Sequence, residues 1–401
     1  MKTLIKNATL ISMESEIPQK EDNMDILIQD NKITKIDKKI DESVDKVIDA
    51  NNNIIMPGFI NTHAHIPMSI FRETVDGYVL QDWLEKKIWP IEAKLTGEDI
   101  YKASLMSFDE MIKTGTTTVE EQYFETEYII KAAEKKGVRL VTTRTLMDID
   151  GKGEERYDEL VFLLEKYKNF GSRITIDVGI HGLYTSTPSY VKKATDLARK
   201  YKKNIQIHFC ENKKEVEDIK RIHNVEYPSE ILEKNFEGLN VNLAHCVELM
   251  PKDMEVIKMH KMSITHCPIS NLKLGCGIAK IQEMLNMGIN VSLGTDGQGS
   301  GSNLDMFETM KFAALLQKGV FCEPIFMPAY EVLKMATING AKTLKKENEI
   351  GSIKVGKNAD IIMINLEGPT INPVNDVFAD IVYNAKGSNV VMTMVDGKIL
   401  L

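Results

Sequence analysis

The sequence predicts an α/β protein: a (β/α)8 TIM-type barrel with a small β-sandwich domain formed from both termini. Three observations predict it. Eight short β-prone runs alternate with amphipathic helical stretches through the middle of the chain. Both ends hold strand-like pieces without a long helix, and the central runs that finish at His63, His208, His245 and Asp296 each deliver a side chain of metal-ligand type.

In chain order, residues 1–56 contain candidate strands at 4–11, 25–28, 32–36 and 46–49, punctuated by polar turns, and form the first part of the sandwich. Residues 57–348 form the barrel. Its candidate strands lie at 59–63, 116–120, 139–144, 174–180, 204–209, 241–245, 262–266 and 290–295, each a brief apolar or β-branched run. Between them, segments such as 97–113, 128–136, 188–202 and 278–286 repeat their apolar residues at helical spacing. Residues 349–401 return to short strands at 350–353, 359–364 and 390–400 and complete the sandwich. A barrel inserted between two halves of one sheet explains why the two ends share a composition that the centre lacks.

The length of 401 residues, 43% of them hydrophobic, accommodates both modules. Fifty Lys and Arg stand against 58 Asp and Glu, a formal charge of −8, so no basic surface awaits a phosphate backbone and nucleic acid is not an expected partner. Lys2, Lys6, Asn7 and Glu14 break up the first residues, which argues against a signal peptide, and no run is apolar for long enough to engage a membrane as a span. The five cysteines are scattered, without a CxxC pair, as expected of reduced thiols in a cytoplasmic protein. A homo-oligomer is the expected assembly.

His63 and His65 close the first barrel strand, and side chains two apart on a strand share a face. A lone pair of this kind is equally compatible with packing. Its position is what argues for metal, because barrel active sites form at the C-terminal ends of the strands, and three more strands end in His208, His245 and Asp296. Imidazole and carboxylate suit Zn2+, although Fe2+ accepts the same donors. Three histidines and an aspartate leave one position for water, whose pKa bound zinc lowers to about 7. Glu211, three residues past His208, is placed to shuttle protons, though a loop glutamate alone is usually solvated. His245 either ligates or orients the nucleophile, and Asp296 can also accept the water's proton. The fourth strand ends at His181 with no lysine to bridge two metals, which predicts a single ion.

Together, the segments at 57–65, 88–92, 208–211, 244–246, 270–275 and 294–297 resemble the amidohydrolase branch that contains S-adenosylhomocysteine and 5′-methylthioadenosine deaminases, close to the chlorohydrolase-like triazine enzymes. The resemblance runs nearly the full length. It implies a metal-dependent deaminase of a small-molecule adenine nucleoside, with His63, His65, His208 and Asp296 as metal ligands and Glu211, His245 and Asp296 handling protons. It also implies that Glu92 holds ribose hydroxyls, that His181 contacts purine or ribose, and that Arg144 and Arg156 grip the amino-acid tail of S-adenosylhomocysteine. Either arginine is equally able to serve a structural ion pair. Trp83 either stacks on the purine or belongs to the core.

Departures from the resemblance occur in 180–185, where relatives have prolines, in 298–303, which is richer in glycine and therefore expected to be more flexible, and at Leu401, beyond which relatives carry a helical tail. The rival readings are deamination or dechlorination of guanine, cytosine or a triazine, and a non-catalytic scaffold. Arg144, Arg156 and Glu92 favour the nucleoside.

Overall fold

Short strands carrying runs of buried apolar residues open the chain and pair with one another. The computed structural model, which describes residues 1–16, 19–74 and 76–401, begins with β1 (Lys2–Leu10), β2 (Glu21–Gln29), β3 (Lys32–Asp37), β4 (Lys46–Asp49) and β5 (Ile54–Pro57). β1 is antiparallel to β2 and parallel to both β4 and β5.

The barrel follows: β6 (Phe59–Ala64), β7 (Thr116–Tyr123), β8 (Arg139–Leu146), β9 (Ile174–Ile176), β10 (Val178–Gly182), β11 (Ile205–Phe209), β12 (Val241–His245), β13 (Ser263–His266) and β14 (Asn290–Leu293). Its neighbouring strands are parallel and run in sequence order, apart from β9 and β10, which share the fourth position. The single run expected at 174–180 is divided at Asp177, whose carboxylate leaves the ladder to accept from Asn204. Helices cross between the strands, and their starts are readable in the sequence. Gly97–Lys113 opens with a capping box of Thr96 and Asp99, and Pro188–Tyr201 opens with the Thr187 hydroxyl accepting from Tyr190 N–H.

Side chains close the seam where β14 meets β6. Asn61 Nδ2 donates to Thr295 Oγ1 at 2.7 Å, Thr62 Oγ1 donates to the Leu293 carbonyl at 3.0 Å, and Asp296 N–H donates to the His63 carbonyl at 3.0 Å. The seam therefore places Asp296 beside His63.

The chain ends with β15 (Ile361–Ile364), β16 (Val390–Val395) and β17 (Lys398–Ile399), which join the first sheet in the order β17-β16-β15-β5-β1-β2-β3. The terminal domain is thus one eight-stranded ladder, with Ile5, Leu10, Ile26, Ile28, Ile55, Ile361 and Met394 in its own core. The strand expected at 350–353 does not form. Ile350 and Ile353 are buried, but Gly351 lies at φ +83, and the segment turns there instead of extending. Conversely β5, adjoining the first barrel strand, is an additional strand.

Arg139 ties the two sheets together. Fully buried at the start of β8, it donates from Nε and Nη2 to both oxygens of Asp360 at 2.7 and 3.0 Å, and from Nη2 to Asp396 at 3.0 Å. Removing one member of a buried, hydrogen-bonded ion group leaves charge without a partner. Arg139→Ala is expected to cost about 3–5 kcal/mol in chemical denaturation; a loss under ~1 kcal/mol would show that the clamp contributes little.

Candidate active site

At the C-terminal mouth of the barrel, β6, β11, β12 and β14 deliver His63, His65, His208, His245 and Asp296 to one place. Turning so abruptly off a strand requires unusual backbone: Cys210, His245, Cys246 and Asp296 all have positive φ, between +52 and +75. Such non-glycine conformations cost free energy and concentrate where function demands them.

The hydrogen bonds fix which nitrogen faces inward. His65 Nδ1 bonds the Gln122 carbonyl at 2.6 Å, and His208 Nδ1 bonds the His181 carbonyl. A carbonyl only accepts, so both rings carry hydrogen on Nδ1 and direct Nε2 to the centre. There the two Nε2 atoms stand 3.3 Å apart. Asp296 Oδ1 lies 3.2 Å from His65 Nε2 and 3.7 Å from His63 Nε2. Both ring nitrogens of His63, which is wholly buried, lack a hydrogen-bond partner among the described residues. Lone pairs converging this closely, with an orphaned imidazole among them, fit a divalent cation.

The charges respond to this crowding. Burial, then His65, drives the His63 imidazole well below its ordinary range. Burial also works to lower His65, but the hydrogen bond and charge of Asp296 outweigh it and push it up to about 9. Asp296 is held well below the usual carboxylate range by the same pair, against the opposing effect of burial. Its Oδ2 accepts from Ser270 Oγ at 2.5 Å and Ser300 Oγ at 3.0 Å, while Oδ1, which also accepts from Gly297 N–H at 2.9 Å, faces the histidines.

Glu211 stands opposite. Burial first, then the Asp296 charge, raises its carboxyl well above the ordinary value, favouring the protonated form. Asn271 Nδ2 reaches both Glu211 Oε1 at 3.4 Å and His245 Nδ1 at 3.0 Å, and the Cys276 thiol donates to the same Oε1 at 3.6 Å. With Asn271 Nδ2 donating to its Nδ1, the neutral His245 ring carries its hydrogen on Nε2. Burial lowers His245 to about 4 and keeps it neutral. Beneath them the buried Glu215 carboxylate accepts from Cys210 N–H at 2.9 Å and Glu211 N–H at 2.7 Å and fixes the loop.

A cavity of about 500 Å3 opens from this cluster, and Trp83, Glu92, Arg144, Arg156 and His181 all line it. Glu92 accepts from the Tyr123 hydroxyl, and burial raises its carboxyl. His181 Nδ1 lies 3.0 Å from Thr185 Oγ1. Trp83 is both wall and core, buried among Met68 and Phe71. Each arginine reaches the cavity with an acid beside it, Arg144 with Glu159 and Arg156 with Asp150.

The glycines after Asp296 serve packing. Gln298–Gly301 is a buried short helix; a Cβ on Gly301 would sit 2.3 Å from the Thr295 carbonyl, and one on Gly299 would sit 3.0 Å from the Trp83 ring. The flexibility expected from composition is replaced by close approach.

Asn271, Ser270, Ser300, Cys276, Glu215 and Tyr123 were given no role by the sequence reading. The one available signal was the motif at 270–275, which named Ser270 and Asn271 without assigning them.

Imidazoles and carboxyls gathered closely enough to hold a divalent cation, at the open end of a parallel barrel, are the arrangement of the metal-dependent hydrolases. The chain is a member of the amidohydrolase family, whose model matches residues 54–400. It is 41% identical over 405 residues, all of this chain and 94% of the relative, to a 5-methylthioadenosine/S-adenosylhomocysteine deaminase of Thermoanaerobacter pseudethanolicus. It is 40% identical to a 5′-deoxyadenosine deaminase of Methanosarcina mazei, over 99% of this chain and 92% of that one. Among solved structures, an adenosine deaminase from Xanthomonas campestris with bound zinc superposes with a TM-score of 0.94 at 26% identity, covering 99% of this chain and 92% of that one. Among the described residues no helix is long and apolar enough to cross a membrane.

Proposed function

We propose that this chain is a hydrolytic deaminase of adenine nucleosides, converting the 6-amino group to a 6-oxo group and releasing ammonia. The observation that carries the reading is the buried Glu211 carboxyl, gathered with His245 and Asp296 beside the His63, His65 and His208 cluster, where burial raises its affinity for a proton. The two deaminases that are 40–41% identical along the whole chain support the nucleoside. His63, His65, His208 and Asp296 would hold a single divalent cation; zinc is supported by the donor set and by the zinc in the Xanthomonas structure. The chemistry a cation supplies there is acidification of water to a pKa near 7, so that hydroxide is available at neutral pH.

The protein's own groups do the rest. Glu211 gives its proton to ring N1, which leaves C6 electron-poor. Asp296 takes a proton from the attacking water, while His245, hydrogen-bearing at Nε2, donates to the oxygen as charge gathers on it. The proton held by Asp296 then passes to the amino nitrogen, the hydroxyl on C6 gives its proton to the Glu211 carboxylate as the 6-oxo group forms, the C6–N bond breaks, and ammonia leaves with the acid restored. Glu92 accepts from ribose hydroxyls, and Trp83 and His181 flank the purine.

Ammonia release from adenosine, 5′-deoxyadenosine, 5′-methylthioadenosine, S-adenosylhomocysteine, guanine and cytosine tests the reading. Turnover confined to the four nucleosides is expected. Faster turnover of guanine or cytosine would refute it.

A further inference from the structure

Arg156 enters the cavity with three of its five guanidinium N–H groups already committed. Nη1 donates to the Met147 carbonyl at 2.9 Å and to Asp150 Oδ1 at 2.6 Å, and Nη2 donates to Asp150 Oδ2 at 2.6 Å. That is the planar two-pronged geometry by which a guanidinium recognises any carboxylate, and here the carboxylate belongs to the chain itself. The Arg156 side chain is only 9% exposed, whereas Asp150 is 40% exposed and stands on the solvent side. Arg144 is similarly engaged, its Nε with Glu159 and its Nη1 with the Thr145 carbonyl at 3.2 Å.

The outer lining of the cavity is otherwise balanced. Among the described residues that line the cavity, Arg144, Lys152 and Arg156 are matched in number by Glu125, Asp150 and Glu155, which leaves no surplus of positive charge there for an incoming anion. A substrate carboxylate would have to displace Asp150, which sits in the turn just ahead of the helix that carries Arg156 (Gly153–Lys166), so that the short tether gives it a high effective concentration, and its carboxyl, lowered to about 2 chiefly by its hydrogen bond to Arg156, is ionised at neutral pH. An apolar 5′ group would meet no such competitor and would find Met147 and Ile149 on the wall.

We propose that Asp150 is a specificity-determining residue: by occupying the Arg156 fork it makes the cavity select adenine nucleosides with a short uncharged 5′ group over those ending in an amino acid. The proposal rests on the adenine-nucleoside reading and refines it.

The test compares kcat/KM for 5′-deoxyadenosine and S-adenosylhomocysteine in the wild type, Asp150→Asn and Arg156→Ala. The wild type is expected to prefer 5′-deoxyadenosine by tenfold or more. Asp150→Asn, which releases the fork while keeping the loop's shape, is expected to move the ratio about tenfold toward S-adenosylhomocysteine. Arg156→Ala in the wild-type background is expected to shift it less than about threefold. A wild-type preference for S-adenosylhomocysteine overturns the proposal without needing any variant. So does an Arg156→Ala loss confined to S-adenosylhomocysteine, or a ratio unmoved by Asp150→Asn. Turnover of none of the four adenine nucleosides sinks the functional reading and the proposal with it, whereas turnover with the ratio reversed, or of neither compared nucleoside while adenosine is deaminated, sinks the proposal alone.

Discussion

Replacing His208 with alanine is expected to strip the site of its cation on dialysis and to lower kcat/KM by at least about 10³-fold. The size of the effect follows from the crowding. His208 Nε2 faces His65 Nε2 at 3.3 Å, and its other nitrogen is pinned by the His181 carbonyl. Its loss removes one of four donors and also frees the backbone that positions His181. Of the three donors that remain, His65 and Asp296 then have a competing way to satisfy each other, because a proton on His65 is already favoured by Asp296. Metal analysis after dialysis, followed by kinetics with metal restored, measures both effects. Retention of one equivalent of metal and wild-type turnover would remove His208 from the ligand set.

Glu211→Gln is expected to keep the metal and lose roughly 10²–10⁴-fold in kcat, the range associated with a positioned acid. Glutamine preserves the shape and can still meet Asn271, but it has no acidic proton for N1. The pH profile carries a second signature. An acid works while protonated, and burial with the Asp296 charge raises this carboxyl, so the wild type is expected to hold activity through neutral pH and lose it as pH rises past the Glu211 pKa. That alkaline limb should be missing from the residual activity of the variant. An unchanged kcat with metal bound would end the proposed role.

Much of the architecture was legible because strand and helix periods differ. Val241–His245 and Gly97–Lys113 match their expected bounds, since β-branched or helix-periodic runs there are flanked by clear turns and a capping box. Residues 350–353 misled because apolar residues three apart, Ile350 and Ile353, also suit a turn that buries both. The metal-type residues were visible because each sits at a strand end. Asn271 was not, because its work consists of two contacts, to residues 60 and 26 positions away. The acids that occupy Arg144 and Arg156 were hidden for a related reason: sequence shows that an arginine and an aspartate are near each other, but not that their planes meet. Composition suggested looseness at 298–303, whereas the space available to Gly299 and Gly301 showed tight packing.

Completion of the terminal sheet is separated in time from its beginning. β5 is flanked by β1 on one side and by β15 on the other, and β15 is synthesised some three hundred residues later. On the ribosome, the Ile54–Pro57 edge therefore waits with open amides and carbonyls while the whole barrel emerges. A nascent chain stalled before residue 361 would present that edge to other chains, so truncated products should aggregate more readily than the finished protein.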